Sequence, residues 1–185
     1  MLTPQQRRQL LRIARDTITA ALEGQRYAVD LASVDEDLQR PAGAFVTLEK
    51  HGDLRGCIGS IEPVAPLAQA VSSSAMSAAF RDPRFRPVRA DELPQLDIEI
   101  SVMGPIERVN DVNTIEVGRD GLILSRGSRA GLLLPQVATE YGWDRDTFLR
   151  QTCLKAGLPP DAWRAADCRI EKFSAEVFGE QDTAL

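Results

Sequence analysis

Alternation of apolar and polar residues in short runs constrains the fold of this chain more than any other feature. Residues 44–49 alternate, and residues 54–60 follow after His51-Gly52, a pair typical of a tight turn. Residues 96–102 alternate most regularly, with apolar side chains at every second position. This period of two is that of a half-buried strand, so we expect a hairpin and a third strand in a sheet with one face on a core.

The register of this hairpin follows from counting outward from the turn. With a tight turn at His51-Gly52, Arg55 lies opposite Leu48 and Cys57 lies opposite Val46. The side chains of Arg55 and Cys57 then share one face. A slip of one residue would move them to the other face, so the register decides what surrounds the thiol.

Helical periodicity predicts the remaining elements. Thr3, Pro4 and Gln6 form a capping box with proline at the first helical position, and Gly24 suits the end of this first helix. Further helices are expected at 63–79, at 135–141 and after Asp144 or Asp146, the last one burying Cys153. Further strands are expected at 121–125, 131–134 and 170–178, the last with Phe173, Ala175 and Val177 facing inward.

Composition limits the class of protein. A length of 185 residues fits one domain, or one domain with a small appendage. The net charge of −5 argues against nucleic-acid phosphate as the main partner. The apolar runs are too short to span a membrane. Three widely spaced cysteines indicate free thiols in a cytoplasm, and a single histidine argues against a zinc site. We expect no metal and no cofactor. The turn at 126–130 is not a phosphate-binding loop, since it lacks the Gly-Lys-Ser/Thr ending of such loops.

Residues 54–59, Leu-Arg-Gly-Cys-Ile-Gly, are the candidate centre of function. A cation at Arg55 favours a thiolate at Cys57, and Gly56 and Gly59 let a ligand approach the backbone. Cys57 is therefore a candidate nucleophile or redox-active thiol, with backbone N–H groups available to hold an oxyanion. The alternative is that a crowded strand simply needed a small apolar residue at this position.

Other segments supply candidate partners for Cys57. Glu99 and His51 could move a proton, although Glu99 could equally be a solvated residue on the polar face of its strand. Arg81 and Arg84 lie in a proline-rich basic and aromatic segment, 80–89, which suits an anionic substrate. The alternative is a structural loop whose arginines pair with carboxylates of the same chain.

Five segments in order resemble the AMMECR domain family. They are the hexapeptide at 54–59, Phe-Arg-Asp-Pro-Arg-Phe at 80–85, Ile-Glu-Ile-Ser at 98–101, the run at 131–138 and Gly142-Trp143. The resemblance extends over nearly the whole chain and implies a single AMMECR-type domain over 1–185. It also implies an α+β fold, a mainly antiparallel sheet flanked by helices, with a large and a small lobe.

The resemblance implies a pathway for the protein but no specific biochemical activity. Members of the family are commonly encoded or fused with a Memo-type protein and a radical S-adenosylmethionine enzyme, which implies a shared pathway, but their biochemical activity is not established. Three functions remain open: an enzyme or substrate-handling component with a cleft around Cys57, a non-catalytic module that docks those partners, and an RNA-binding module using residues 80–89. The acidic net charge makes RNA binding the weakest of the three.

Overall fold

The computed structural model describes residues 1–183, which form two compact units. The larger unit comprises Met1–Met103 and the segment from Glu176 onward, and the smaller unit is Gly104–Ala175. The smaller unit is thus an insertion in the chain of the larger one. Within residues 1–183, no helix combines the length and the apolar character that a membrane crossing requires.

The larger unit combines an antiparallel sheet with helices. Its sheet contains β1 (Ala44–Lys50), β2 (Asp53–Ser60) and β3 (Leu96–Met103), in the order β2-β1-β3. The helices are α1 (Pro4–Leu22), α2 (Leu67–Phe80) and α5 (Glu180–Thr183), the last following the end of β7 (Arg169–Gly179). The expected α+β architecture is confirmed.

Helix α1 begins as the sequence predicts. The Thr3 hydroxyl accepts from the Gln6 N–H, the Gln6 side chain accepts from the Thr3 N–H, and Pro4 opens the helix. Gly24 has φ 73, the left-handed conformation that favours glycine after a helix end. The buried stripe of α1 includes Leu10, Ala14 and Ile18, which lie in the core of the larger unit.

Helix α2 begins four residues later than the predicted start at 63. Pro66 is its N-cap residue, and a residue before proline, here Ala65, is disfavoured in the helical conformation. The helix packs on the sheet through small residues, and its backbone comes very close to β2 at Gly56. A Cβ atom on Gly56 would lie 2.2 Å from the backbone oxygen of Ala78.

The predicted hairpin register is correct near the turn and wrong beyond it. His51 and Gly52 both have positive φ, 55 and 85, and join the pair Lys50–Asp53. After the pair Glu49–Leu54 the register shifts, and the next pair is Leu48–Gly56. Arg55 is therefore the extra residue of a β-bulge, and Cys57 lies opposite Thr47, not opposite Val46.

The smaller unit has antiparallel strands and a core of its own. Its strands are β4 (Glu107–Arg108), β5 (Asp120–Arg126), β6 (Arg129–Leu133) and most of β7; β7 pairs with both β4 and β5, and β6 pairs with β5. Its helices are α3 (Pro135–Glu140) and α4 (Arg145–Lys155), the latter capped by Asp144. The thiol of Cys153 is fully buried in this core, as predicted, and burial raises its pKa.

Strand β7 does not keep the single inward face that alternation predicts. Phe173 is buried as expected, but Val177 is 40% exposed, whereas its neighbour Phe178 is buried. Ile170 belongs to the core of the smaller unit and Phe178 to that of the larger unit. Because the strand contributes to two cores in succession, its inward face changes along its length.

Substitution Gly56→Ala is expected to destabilise the larger unit by about 2–3 kcal/mol. The added Cβ would clash with the backbone of α2, which can give way only if the whole helix shifts. Urea unfolding followed by circular dichroism measures the change in the free energy of unfolding.

Gly179→Ala is the matched control for this measurement. A Cβ atom there meets its nearest neighbours at 3.6 Å, an ordinary van der Waals distance, so the cost is expected to stay below about 1 kcal/mol. Equal effects of the two substitutions would show that α2 does not press on Gly56.

Candidate functional site

The bulge at Arg55 places the Cys57 side chain in a polar row across the sheet. Thr47 of β1 lies opposite Cys57 of β2 on one side and opposite Glu99 of β3 on the other. Directly paired residues of antiparallel strands share a face, so the three side chains project from the same surface. All three are half-buried, and the Thr47 hydroxyl donates to the Cys57 sulfur over 3.3 Å.

This row lies on the face of the sheet opposite to the helices. Val46 and Leu48, whose side chains point the other way, are fully buried in the core that includes α2. Next to the row, a Cβ atom on Gly59 would lie 2.5 Å from the ring carbon Cγ of Phe45, so the aromatic ring covers this glycine. The thiol therefore has a hydroxyl beside it and an aromatic ring in the adjacent pair.

The backbone of Cys57 is held by side chains at the outer edge of the sheet. Among residues 1–183, β2 pairs with β1 alone, which leaves its other edge without a strand. At this edge the Cys57 N–H donates to Asp82 Oδ2 over 2.9 Å, and Arg84 Nη2 donates to the Cys57 carbonyl oxygen over 3.3 Å. The two side chains thus take the place of the backbone of a neighbouring strand.

Asp82 and Arg84 also hold each other. Arg84 donates to the carboxylate through Nε (3.0 Å), Nη2 (2.7 Å) and its backbone N–H (3.1 Å). The hydrogen bond from Arg84, opposed by burial and aided by the Cys57 and Arg84 amides, keeps the pKa of Asp82 far below its usual range. The hydrogen bond with Asp82 in turn raises the pKa of Arg84, against the opposing effect of burial, and Cys57 makes a smaller electrostatic contribution. The guanidinium of Arg84 is therefore close enough to Cys57 for the two side chains to interact electrostatically.

Arg55, the predicted cation beside the thiol, pairs with Glu92 instead. Its guanidinium donates to both carboxylate oxygens of Glu92 over 3.0 Å, and both side chains are 14% exposed. The hydrogen bond from Arg55 lowers the pKa of Glu92 to about 2, against the opposing effect of burial, with help from Arg89 and Lys50. Arg55 therefore anchors the segment before β3 to the bulge.

The chain itself occupies the space beside both glycines of the hexapeptide. The backbone of Ala78 fills the space at Gly56, and the backbone of Ala44 and Phe45 fills it at Gly59. Packing therefore explains the absence of side chains at these positions, whereas sequence reasoning assigned it to ligand approach. The Cys57 N–H, which sequence reasoning offered to an oxyanion, donates to Asp82 instead.

His51 and Arg81 do not join Cys57. His51 lies in the exposed hairpin turn, where its Nε2 is 3.2 Å from Gln95 Oε1. Thr47, opposite Cys57, is four residues away along the strand, or roughly 13 Å. Arg81 is exposed and lines a cavity beside α2 of which Cys57 is not part. Of the predicted residues, the structure brings Cys57, Glu99 and Arg84 to one region of the sheet.

Three residues of this region escaped sequence reasoning: Thr47, Asp82 and Glu92. Thr47 was missed because the predicted register was off by one beyond the bulge. Asp82 had a usable signal, since an aspartate followed by proline and arginine favours a turn in which the carboxylate accepts from nearby N–H groups. Glu92 gave no local signal, because its partner lies 37 residues earlier in the chain.

Substitution Asp82→Asn is expected to lower the free energy of unfolding by about 2–3 kcal/mol, since it weakens charge-assisted bonds of a carboxylate that is 1% exposed. The matched control is Asp91→Asn, whose carboxylate is 72% exposed and pairs with Arg89 two residues away. That change is expected to leave the free energy of unfolding nearly unchanged, because an exposed ion pair contributes little. Similar losses in urea unfolding of both variants would contradict a holding role for Asp82.

The lowered pKa of Glu92 makes its contribution depend on pH. The contribution is fully present above about pH 4.5, the ordinary pKa, and is lost as the pH falls towards about 2. We expect Glu92→Gln to cost up to about 3 kcal/mol near neutral pH. The difference from wild type should shrink over the acidic range, measured by urea unfolding at several pH values. A difference that stays constant down to about pH 2 would contradict the shift.

Comparison with known proteins agrees with this architecture. A family model described as AMMECR1 matches residues 11–178. A protein of Methanothermobacter thermautotrophicus is 48% identical, covering 94% of this chain and 93% of its own, and protein MK0488 of Methanopyrus kandleri is 46% identical, covering 94% and 87%. The crystal structure of the uncharacterised protein PH0010 from Pyrococcus horikoshii is similar with a TM-score of 0.85 and 42% identity, over 93% of this chain and 90% of that one. The chain belongs to the AMMECR1 family.

Proposed function

We propose that the protein is a thiol-dependent enzyme or substrate-handling component that works at the open face of the β2-β1-β3 sheet. The observation that carries this proposal is the hydrogen bond of 3.3 Å from the Thr47 hydroxyl to the Cys57 sulfur. This donor holds the sulfur, the nucleophile of cysteine chemistry, at a fixed position on the sheet.

The surroundings of the thiol support a reacting role better than a merely structural one. Cys57 is half-buried and projects from the face opposite the helices, whereas Cys153 is fully buried in a core. Its backbone is fixed at N–H and at C=O by Asp82 and Arg84, which holds the sulfur in place. Rigid support of this kind is what a positioned nucleophile requires.

In this role the sulfur donates its electron pair to an electrophilic carbon and forms a C–S bond. The leaving group departs with the bonding pair, and the thiol proton passes to solvent. Glu99 lies two strands from Cys57, about 10 Å between backbones, with Thr47 between them, so its carboxylate would contact a part of the substrate remote from the reacting carbon. The Phe45 ring beside Gly59 offers an apolar wall for such a substrate.

Iodoacetamide labelling tests the proposal, because its reaction is the same substitution at carbon. We expect Cys57 to label faster in the folded protein than half-buried Cys168 or fully buried Cys153, as read by mass spectrometry of the peptides. Substitution Thr47→Val is expected to slow labelling of Cys57 several-fold, by removing the donor to sulfur.

The control for this experiment is Thr139→Val, a change at an exposed threonine whose hydroxyl donates to Gln136 instead. It is expected to leave the labelling rate of Cys57 unchanged. If Cys57 labels no faster than Cys168, or if the two valine variants behave alike, the thiol is not activated and the proposal fails.

The pathway partners belong to the same proposal. The Memo-type protein and the radical S-adenosylmethionine enzyme implied by the family resemblance would meet this chain in the cytoplasm, which its three free thiols favour. The docking surface would be the outer side of residues 81–89, where Arg86 is exposed and forms no ion pair among the described residues. Exposed arginine is a frequent anchor of protein interfaces.

Co-purification of the tagged chain with each of these two proteins tests the docking surface. Substitution Arg86→Glu is expected to reduce recovery about 10-fold by reversing a charge at the contact. Arg8→Glu reverses an exposed charge on α1 and is expected to leave recovery unchanged. If neither protein is recovered with the wild-type chain, this part of the proposal is wrong and the labelling experiment is unaffected.

A further inference from the structure

The largest cavity described in the larger unit lies away from Cys57, between the two long helices. It is formed by the second half of α1, the segment 25–29 that follows it, and the exposed side of α2. Its volume is about 730 Å³, within the range of small-molecule sites. No residue of the β2-β1-β3 sheet contributes to its lining.

Both charged residues that line this cavity are arginines. Arg26 and Arg81 line it, and no aspartate or glutamate is among its lining residues. Each of the two side chains is exposed, and within residues 1–183 neither makes a hydrogen bond or an ion pair. In a chain with a net charge of −5, two unpaired guanidinium groups on one cavity form a local site for an anion.

The rest of the lining suits an organic molecule better than a bare ion. Tyr27, Val29 and Met76 provide an aromatic ring, an aliphatic side chain and a thioether. Thr17 donates to the Ile13 carbonyl oxygen over 2.7 Å, so its 2.8 Å contact with Ser72 makes Ser72 the donor. The oxygen of Ser72 therefore remains an acceptor for a hydroxyl or amino group of a ligand.

We propose that this cavity binds a small organic phosphate monoester of mononucleotide size. Arg26 and Arg81 bind the phosphate, whose charge of nearly −2 near neutral pH matches the two guanidinium groups. The organic part lies against Tyr27 and Met76 and donates to Ser72. Arg81 directly precedes Asp82, so the ligand binds one residue away from the carboxylate that holds Cys57.

Calorimetric titration of the full chain with AMP, ribose 5-phosphate and adenosine tests this site. We expect both phosphates to bind and adenosine to bind at least about 10-fold more weakly, because it lacks the charged group. Arg26→Ala and Arg81→Ala are each expected to weaken AMP binding about 10-fold. Added salt should weaken it as well.

Arg86→Ala is the matched control, since Arg86 is an exposed arginine of the same segment that does not line the cavity. It is expected to leave AMP affinity unchanged. Arg81 caps the end of α2, so circular dichroism of each variant checks that the helix persists, and Arg26→Ala tests the site without touching that cap. The proposal is overturned if neither phosphate binds at millimolar concentration, if adenosine binds as tightly as AMP, or if Arg26→Ala binds AMP like Arg86→Ala. Iodoacetamide labelling of Cys57 reports on the thiol site independently.

Discussion

The hydrogen bonds of the Asp82 carboxylate are the interactions on which the candidate site of the larger unit depends. It accepts from the Cys57 amide and from three N–H groups of Arg84, while only 1% of its side chain is exposed. An unpaired strand edge exposes backbone groups that pair readily with other chains. Here the edge of β2 at Cys57 is closed by side chains of a loop, which fixes the backbone that carries the thiol.

The bulge at Arg55 decides which face of the sheet carries the thiol. Without the extra residue, Cys57 would lie opposite Val46, on the side of the buried helix contacts; with it, Cys57 lies opposite Thr47. The same bulge directs Arg55 towards Glu92, where burial is compensated by two hydrogen bonds of 3.0 Å. One inserted residue therefore sets both the surroundings of the thiol and the anchor of the segment before β3.

Local patterns predicted most elements of the fold, because capping, turn and alternation signals act over a few residues. The capping box at Thr3, the turn at His51-Gly52 and the strand at 96–102 are of this kind. The bulge was not predictable, since it depends on how β2 packs against α2 and on a partner 37 residues away. The inward face of β7 was not predictable either, because its two ends serve different cores.

The candidate site, like the fold, was predictable only where local sequence signals were sufficient. Cys57, Glu99 and Arg84 were identifiable as reactive or charged residues near distinctive segments. Gly56 and Gly59 suggested room for a ligand, yet long-range contacts with Ala78 and Phe45 fill that room. Residue types therefore indicated the candidate side chains, and only tertiary packing showed which of them lie in one region of the sheet.

The insertion of the smaller unit has a consequence for synthesis on the ribosome. The core of the larger unit includes Phe178, and Arg15 of α1 binds Glu180, so this unit lacks these contacts until residues 178–180 have been synthesised. The smaller unit is one continuous segment, Gly104–Ala175, and all of it is synthesised before then. The nascent chain can therefore complete the smaller unit before the larger one.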